Sequence, residues 1–254
     1  MKGRDTSWNE VARWYDQLVG ERGSDYHQNL IFPGALRLLD TRSGEKVLDV
    51  GCGQGVFCLK LAELELKVTG VDASKKLIQL AERHSAKFPN LKYYIADAAR
   101  LEALGNESFD AATCIMAIQN MESVHLVFKE VARVLKSTGR FVLVMSHPCF
   151  RIPRQSGWGF DEKRKLQYRR IDSYLSSQKI PIQMQPGYAP QIYTWTFHRP
   201  LSEYFTALAE TGFLVEQLEE WASHRISQPG SKKRAEDRSR QEIPLFLALK
   251  ARKI

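Results

Sequence analysis

Apolar side chains recur at helical spacing at the start of the chain: Val11, Trp14, Tyr15 and Leu18, then Leu30, Ile31, Ala35, Leu36 and Leu39. This predicts two helices separated by the turn-rich stretch "VGERGSDYHQ". The pattern then changes. "EKVLDVG" (45–51) is a short apolar run of strand type, and "VFCLKLAEL" (56–64) returns to the helical period. The alternation continues with strands at "KVTGVDAS" (67–74), "LKYYIADAA" (91–99), "FDAATCIMAI" (109–118) and "RFVLVMS" (140–146). Between them lie helices through "KKLIQLAERHSAKF" (75–88) and "HLVFKEVARVLK" (125–136). Strands alternating with helices of about a dozen residues predict a parallel sheet joined by right-handed crossovers.

After residue 146 the rhythm stops. Residues 147–199 are rich in proline, aromatic and basic residues, with no crossover helix. Regularity resumes with a helix in "LSEYFTALAETG" (201–212) and two strands, "FLVEQLEE" (213–220) and "IPLFLALKA" (243–251). The chain therefore divides into a helical cover at 1–44, a core at 45–146, a cap at 147–199 and a completion of the sheet at 200–254. Its 254 residues, 43% of them hydrophobic, suit one domain of ordinary size with such an elaboration.

Charge adds little. The net charge of +8 permits an anionic partner without demanding one. The run "SKKRAEDRSR" (231–240) carries both signs and reads as a solvated loop rather than a phosphate-binding patch. The four cysteines have no zinc spacing, so no metal is expected. Free thiols, no export signal and no membrane-spanning run lead to the expectation of a cytoplasmic protein, monomer or homodimer.

The chemistry concentrates at 49–55, Asp49-Val50-Gly51-Cys52-Gly53-Gln54-Gly55. Glycine between a strand and a helix lets backbone amides come close to a ligand. Asp72, at the end of the second strand, stands where a carboxylate would accept hydrogen bonds from a ribose diol, or else cap the next helix. The glycines do not follow the dinucleotide spacing. Asp49 would repel a pyrophosphate and favour a ligand carrying an amine or sulfonium. Together these point to S-adenosylmethionine.

These residues resemble the class I, type 11 S-adenosylmethionine-dependent methyltransferases. "VLDVGCGQG" (47–55) is similar to the family's first motif, "VTGVDAS" (68–74) to the second and "ADAARL" (96–101) to the third. "SFDAATCIMAIQNM" (108–121) and "VARVLKSTGRFVLV" (131–144) resemble the fourth strand and the closing helix and fifth strand. The resemblance implies an α/β fold: a doubly wound, Rossmann-like, mostly parallel seven-stranded sheet with an antiparallel last strand and a substrate cap. It implies that Asp49, Gly51, Cys52, Gly53, Gly55, Asp72 and Ala73 cradle the nucleoside. Asp97 and Ala98 would meet the adenine, and Cys114 and Ile115 would lie beside the methionine part. Tyr15 and Tyr26 resemble positions that close over the cofactor, where they could reach its carboxylate or the acceptor, or simply pack as helix residues.

Methyl transfer needs a nucleophile held in line with the leaving sulfur; a base is needed only if that nucleophile is protonated. His147, in "SHPCF" after the fifth strand, is a candidate base or a residue bonding loop backbone. Tyr15 is a second candidate. Gln119 is a third, although many relatives carry histidine there, which puts a base at that position in doubt. His198 and Arg199 in "FHRPLSEYF" are candidate substrate contacts, since some relatives share a His-Pro and a His-Arg at these places. The cap aromatics Trp158, Phe160, Tyr168, Tyr174, Tyr188, Tyr193, Trp195 and Phe197 supply either the cap's own core or an acceptor pocket, with Trp158 and Tyr193 as pocket candidates. The basic run "DEKRKLQYRR" (161–170) is a solvated loop or a contact to RNA or an acidic molecule. The expected function is transfer to O, N or C of a small molecule. The alternatives are an RNA or protein methyltransferase and a module that binds the cofactor without transfer. The Asn-Pro-Pro-Tyr signature of some amino-methylating relatives is absent; Ile118-Gln119-Asn120-Met121 stands there.

Overall fold

The computed structural model describes residues 8–184 and 192–254. The early apolar stripes form helices α1 (Trp8–Val19) and α2 (Phe32–Leu39), the second preceded by one wide helical turn at His27–Ile31. The central alternation gives β1 (Lys46–Val50), α3 (Val56–Glu63), β2 (Lys67–Asp72), α4 (Lys75–His84), β3 (Leu91–Ile95), β4 (Phe109–Ile115), α5 (Val124–Val134) and β5 (Leu135–Ser146). Ser74 and Ser123 start α4 and α5 by accepting from the Leu77 and Leu126 amides, satisfying donors that the first helical turn leaves open.

The cap holds two hairpins, β6 (Ser156–Asp161) with β7 (Leu166–Ile171) and β8 (Gln178–Met184) with β9 (Ile192–His198). The chain ends with α6 (Leu201–Glu210), β10 (Phe213–Trp221), α7 (Lys233–Glu242) and β11 (Phe246–Lys253).

Seven strands form one sheet in the order β10-β11-β5-β4-β1-β2-β3. Six run in one direction; β11 runs against both its neighbours. This is the expected doubly wound topology with an antiparallel last strand. Because both faces are covered, alternate residues of one strand enter different cores. Leu48, Ala112 and Leu143 pack towards α5 and α6, with Phe128 edge-on to Phe141 at 5.8 Å. Val47, Ala111 and Val142 pack towards α2 and α3. Fully burying each large apolar side chain contributes roughly 1.5–3 kcal/mol.

Three expectations need correction. The helix read at 125–136 stops at Val134, where Leu135 turns extended and pairs with Phe109 at the start of β5. The cap, read as irregular, is two β-hairpins; their strands expose part of both faces, so no clean two-residue period marks them. "DEKRKLQYRR" is the turn and return strand of the first hairpin, with Asp161 Oδ1 accepting from the Lys163 and Arg164 amides. The run at 231–240 is not a loop. It forms most of α7, which buries Ala235 and Ser239; Ser239 Oγ bonds the side chain of Gln167 on β7.

Candidate active site at the carboxyl ends of the central strands

The three glycines after β1 all have positive φ, 71° at Gly51, 57° at Gly53 and 81° at Gly55, so each suits a residue without Cβ. Their surroundings differ. A Cβ at Gly51 would lie 2.6 Å from Ala117 Cβ, and one at Gly55 would lie 2.3 Å from the Tyr93 hydroxyl oxygen. At Gly53 the nearest atom is Tyr15 Cε1, at 3.8 Å. Two glycines are thus demanded by the protein's own packing. Gly53 alone leaves room for something else.

Beside that room sits Asp72. Its Oδ2 accepts from the Gly53 amide at 3.0 Å and its Oδ1 from the Ser74 amide at 2.8 Å. Burial raises its carboxyl pKa, and the two amides act against that rise. Each oxygen keeps a further lone pair for a ligand hydroxyl. The alternative role as helix cap belongs to Ser74, not Asp72. Ala73, exposed at the same corner, and Gly51, whose amide bonds the Val71 carbonyl at 2.8 Å, complete the turn.

The cover helix α1 closes this corner. Asn9 Oδ1 accepts from Ser74 Oγ and the Lys76 amide, fastening α1 to the start of α4. Tyr15 lies edge-on to Trp8 at 5.3 Å, and its phenol is pushed up to about 12 by burial and then by Asp72. It stands over the Gly53–Asp72 corner as an un-ionised phenol. The proposed base role for Tyr15 is therefore corrected: it is a wall of the nucleoside corner. Asn9 carried no sequence signal of its own.

Asp49 is fully buried. Thr113 Oγ1 donates to its Oδ1 at 2.7 Å and Cys58 Sγ to its Oδ2 at 3.3 Å, while burial pushes its carboxyl up to about 6. It braces β1 against β4 and α3, so the direct ligand contact expected of it is corrected to support from beneath. Cys52 lies in the same layer, its thiol pushed up to about 11 by burial. At β4, Cys114 is buried with its thiol pKa raised by burial, and Ile115 is half-buried at the strand end. Ala98 is buried. Asp97 is exposed, one oxygen taking the Ala99 amide at 2.9 Å and the other open to an amine. Gln119 Nε2 donates to the Met116 carbonyl at 2.7 Å, and its buried Oε1 has no partner among the described residues, an open acceptor at the end of β4. An amide oxygen orients a donor but does not take its proton, so the base role for Gln119 is corrected as well.

Four further assignments move. His147 is buried, with Nδ1 accepting from the Cys149 amide at 3.2 Å; Nε2 therefore carries the proton and donates to Glu220 Oε1 at 2.7 Å. No ring nitrogen is left to take a proton from an acceptor. Tyr26 lies away from the glycines, its hydroxyl 2.9 Å from Ser223 Oγ and its ring against Phe246, at the β10–β11 side of the sheet. His198 Nε2 donates to the Tyr174 carbonyl at 2.7 Å. Arg199, 4% exposed, donates to the Met121 and Glu122 carbonyls and pairs with Glu203 at 3.1 Å. His198 thus ties the end of β9 to the segment between β7 and β8, and Arg199 ties the residue after β9 to the loop after β4, rather than face an acceptor. Trp158 and Tyr193 are exposed on the two hairpins, and Tyr188 lies outside the described residues. Among the described residues no three His, Cys, Asp or Glu side chains are placed to hold a metal.

The order of strands agrees with the fold of solved structures to which the chain is similar. Residues 48–143 match the methyltransferase domain family. Over that stretch the chain is similar to the class I methyltransferases of the type 11 kind. A S-adenosylmethionine-dependent methyltransferase from Mesorhizobium loti superposes over 92% of this chain and 100% of its own, with a TM-score of 0.71 and 27% identity. The demethylmenaquinone methyltransferase of Tropheryma whipplei is 32% identical over 144 residues, 56% of this chain and 58% of that protein. The ubiquinone biosynthesis O-methyltransferase of Albidiferax ferrireducens is 33% identical over 129 residues, 50% and 51% of the two chains. The chain thus spans little more than half the length of these curated relatives. The open space at Gly53, with the Asp72 lone pairs beside it, fits a ribose diol, and the exposed Asp97 oxygen fits an adenine amine.

Proposed function

We propose that this protein is an S-adenosylmethionine-dependent methyltransferase whose acceptor is a small molecule enclosed between the cap and the carboxyl ends of β4 and β5. One observation carries the reading: Asp72 is held by two backbone amides at the end of β2, beside Gly53, which among the three glycines after β1 is the one where an added Cβ would meet nothing closer than 3.8 Å. When bound, the cofactor supplies a methyl group on a sulfonium, already a good leaving group. The chain's own part is to hold and to orient. Asp72 takes the ribose hydroxyls, Asp97 the adenine amine, and Tyr15 covers the sugar from α1. Gln119 Oε1 offers a hydrogen-bond acceptor at the end of β4, where the reacting groups meet.

None of the three candidate bases keeps a basic atom free, so the acceptor that suits this site reacts as a neutral amine, a thiolate or an oxygen already ionised. The curated relatives named for quinone biosynthesis support a small acceptor. The RNA alternative is less favoured because part of the charge of the basic hairpin is paired locally: Lys165 with Glu162 and Arg170 with Asp172. Among the described residues no helix is long and apolar enough to cross a membrane.

The test is calorimetry with S-adenosylhomocysteine on the folded protein, followed by incubation with labelled cofactor and a metabolite extract. Binding is expected, and Asp72→Ala should weaken it at least tenfold, consistent with losing charged hydrogen bonds of roughly 1.5–3 kcal/mol. Absence of any heat with either form of the cofactor would overturn the reading. Binding without label transfer would leave a cofactor-binding module, and transfer to bulk tRNA would replace the small-molecule acceptor.

A further inference from the structure

Two arginines meet where the cap joins the core. The Arg151 guanidinium lies 5.2 Å from the centre of a Trp158 ring and that of Arg169 lies 5.1 Å from it. Arg169 is anchored: its Nε donates to the Phe150 carbonyl at 2.7 Å and its Nη2 to Ser156 Oγ at 2.7 Å. Arg151 is not. Among the described residues its buried Nε has no partner, and no carboxylate pairs with either guanidinium. Burial and the charge of Arg169 bring the Arg151 guanidinium down to about 10; Tyr26 acts the other way.

This is an arrangement with a cost. Like charges drawn together in a partly dry niche repel, and a half-buried cation without an anion loses hydration that nothing returns. Elsewhere the same hairpin neutralises its charges, Lys165 with Glu162 and Arg170 with Asp172. The niche also has the right address. Arg151 follows the end of β5, its amide bonding the His147 carbonyl at 2.8 Å. β5 is two strands from β1 in the sheet, roughly 10 Å at ordinary strand spacing. The glycine corner and the arginine pair therefore flank the end of β4, where the methyl group would be delivered.

We propose that Arg151 and Arg169, stacked on Trp158, bind an anionic oxygen group of the acceptor, a carboxylate or a phosphate. The proposal rests on the methyltransferase reading and names its substrate class: a small acceptor with its nucleophile at one end and an oxyanion at the other. Guanidinium groups match both anions through paired N–H donors, and Trp158 supplies a flat apolar wall beside them. Half-burial of Arg151 favours one oxyanion on a small molecule over an extended nucleic-acid backbone.

The test separates the anion site from the cofactor site. Wild-type protein, Arg151→Gln, Arg169→Gln and the control Arg170→Gln are titrated with inorganic phosphate and with benzoate at constant ionic strength, reading the thermal midpoint. S-adenosylhomocysteine affinity is measured on all four. One of the two anions is expected to raise the wild-type midpoint by about 3 °C at ten times its Kd. The shift should vanish in Arg151→Gln, weaken at least tenfold in apparent affinity in Arg169→Gln and persist in Arg170→Gln. Preference for phosphate or benzoate identifies the class of anion. S-adenosylhomocysteine affinity should stay within twofold throughout, and the labelled product of the metabolite extract should be retained by an anion-exchange resin. An unchanged midpoint in wild type with both anions, an undiminished shift in Arg151→Gln, or an uncharged labelled product would overturn the assignment. Should Arg151→Gln fail to fold, Arg169→Gln decides on the same criterion. Loss of cofactor binding in wild type would sink the methyltransferase reading but not the anion titration, so the two failures are distinguishable.

Discussion

Asp72 and Arg199 are both charged side chains drawn out of water at the same end of the sheet, and they are satisfied in opposite ways. At Asp72 the backbone holds the charge: two amides fix the carboxylate, and lone pairs and a bare glycine are left over. At Arg199 the charge holds the backbone: the guanidinium binds the Met121 and Glu122 carbonyls and the Glu203 carboxylate, tying the cap to the core. A site built to receive something keeps unused hydrogen-bonding capacity and space. A latch uses both up. His147 and His198 follow the latch pattern, and the Arg151–Arg169 pair follows the receiving one.

The sharpest way to break this contrast is within the glycine loop, where two positions share a left-handed backbone and differ in their neighbours. Gly55→Ala carries strain of about 1–3 kcal/mol from its positive φ and a further 1–3 kcal/mol from overpacking against Tyr93. Gly53→Ala carries only the first. Chemical denaturation should therefore find Gly55→Ala the less stable of the two, while calorimetry finds S-adenosylhomocysteine affinity reduced at least tenfold in Gly53→Ala. Equal stability in the pair would mean that Tyr93 yields easily, and unchanged affinity in Gly53→Ala would mean that the space at Gly53 receives nothing.

Arg199→Met tests the latch. Removing a buried cation leaves two carbonyls and a carboxylate without their partner, a loss of about 3 kcal/mol. Stability should fall by that order while cofactor affinity stays within twofold. A variant of normal stability that no longer transfers would return Arg199 to the acceptor site.

The core was legible because its demands are local. A strand that hands over to a helix through left-handed turns needs glycine, and the carboxylate that accepts the Gly53 amide, Asp72, stands at the end of the next strand. The cap was not legible because its demands are between segments. His147 reads as a base until Glu220, 73 residues away, is seen to accept its Nε2–H, and Arg199 reads as a contact until the carbonyls of Met121 and Glu122 meet it. Tyr15 and Tyr26 read alike as cofactor covers, yet α1 brings the first to Asp72 and the turn before α2 takes the second to Ser223. The charged run at 231–240 read as a loop because only Ala235 and Ser239 are buried on that helix, too few to show a period.

Asp49 offers a titration of the support beneath the site. Burial raises its carboxyl from the ordinary 3.8 to about 6, and Thr113 and Cys58 only partly offset that. Between those values the folded state keeps a proton that the unfolded chain releases, so this group's contribution to stability declines as pH rises through that window. Above it the loss is complete, about 3 kcal/mol for a shift of about two units. Asp49→Asn removes the titration. Its stability relative to wild type, measured by urea denaturation, should rise by about 2–3 kcal/mol between pH 4 and pH 7. A difference that does not change with pH would place the ionised carboxylate in a more polar setting than the Thr113–Cys58 pocket.

The smallest effect is expected where the sequence suggested the largest. His147 donates through Nε2 to Glu220 and accepts through Nδ1, and burial lowers its pKa, so it is neutral at working pH with no nitrogen free. His147→Gln retains a donor and an acceptor of similar reach. Turnover in the variant should stay within about threefold, and the pH profile of turnover should keep the shape of wild type, since no proton passes through this ring. The stability loss should be about 1 kcal/mol, the scale of one exchanged hydrogen bond. A collapse of turnover at unchanged stability and cofactor affinity, with an inflection near neutral pH removed, would show that the Glu220 bond breaks on acceptor binding. His147 would then leave the latches and join the receiving side of the site.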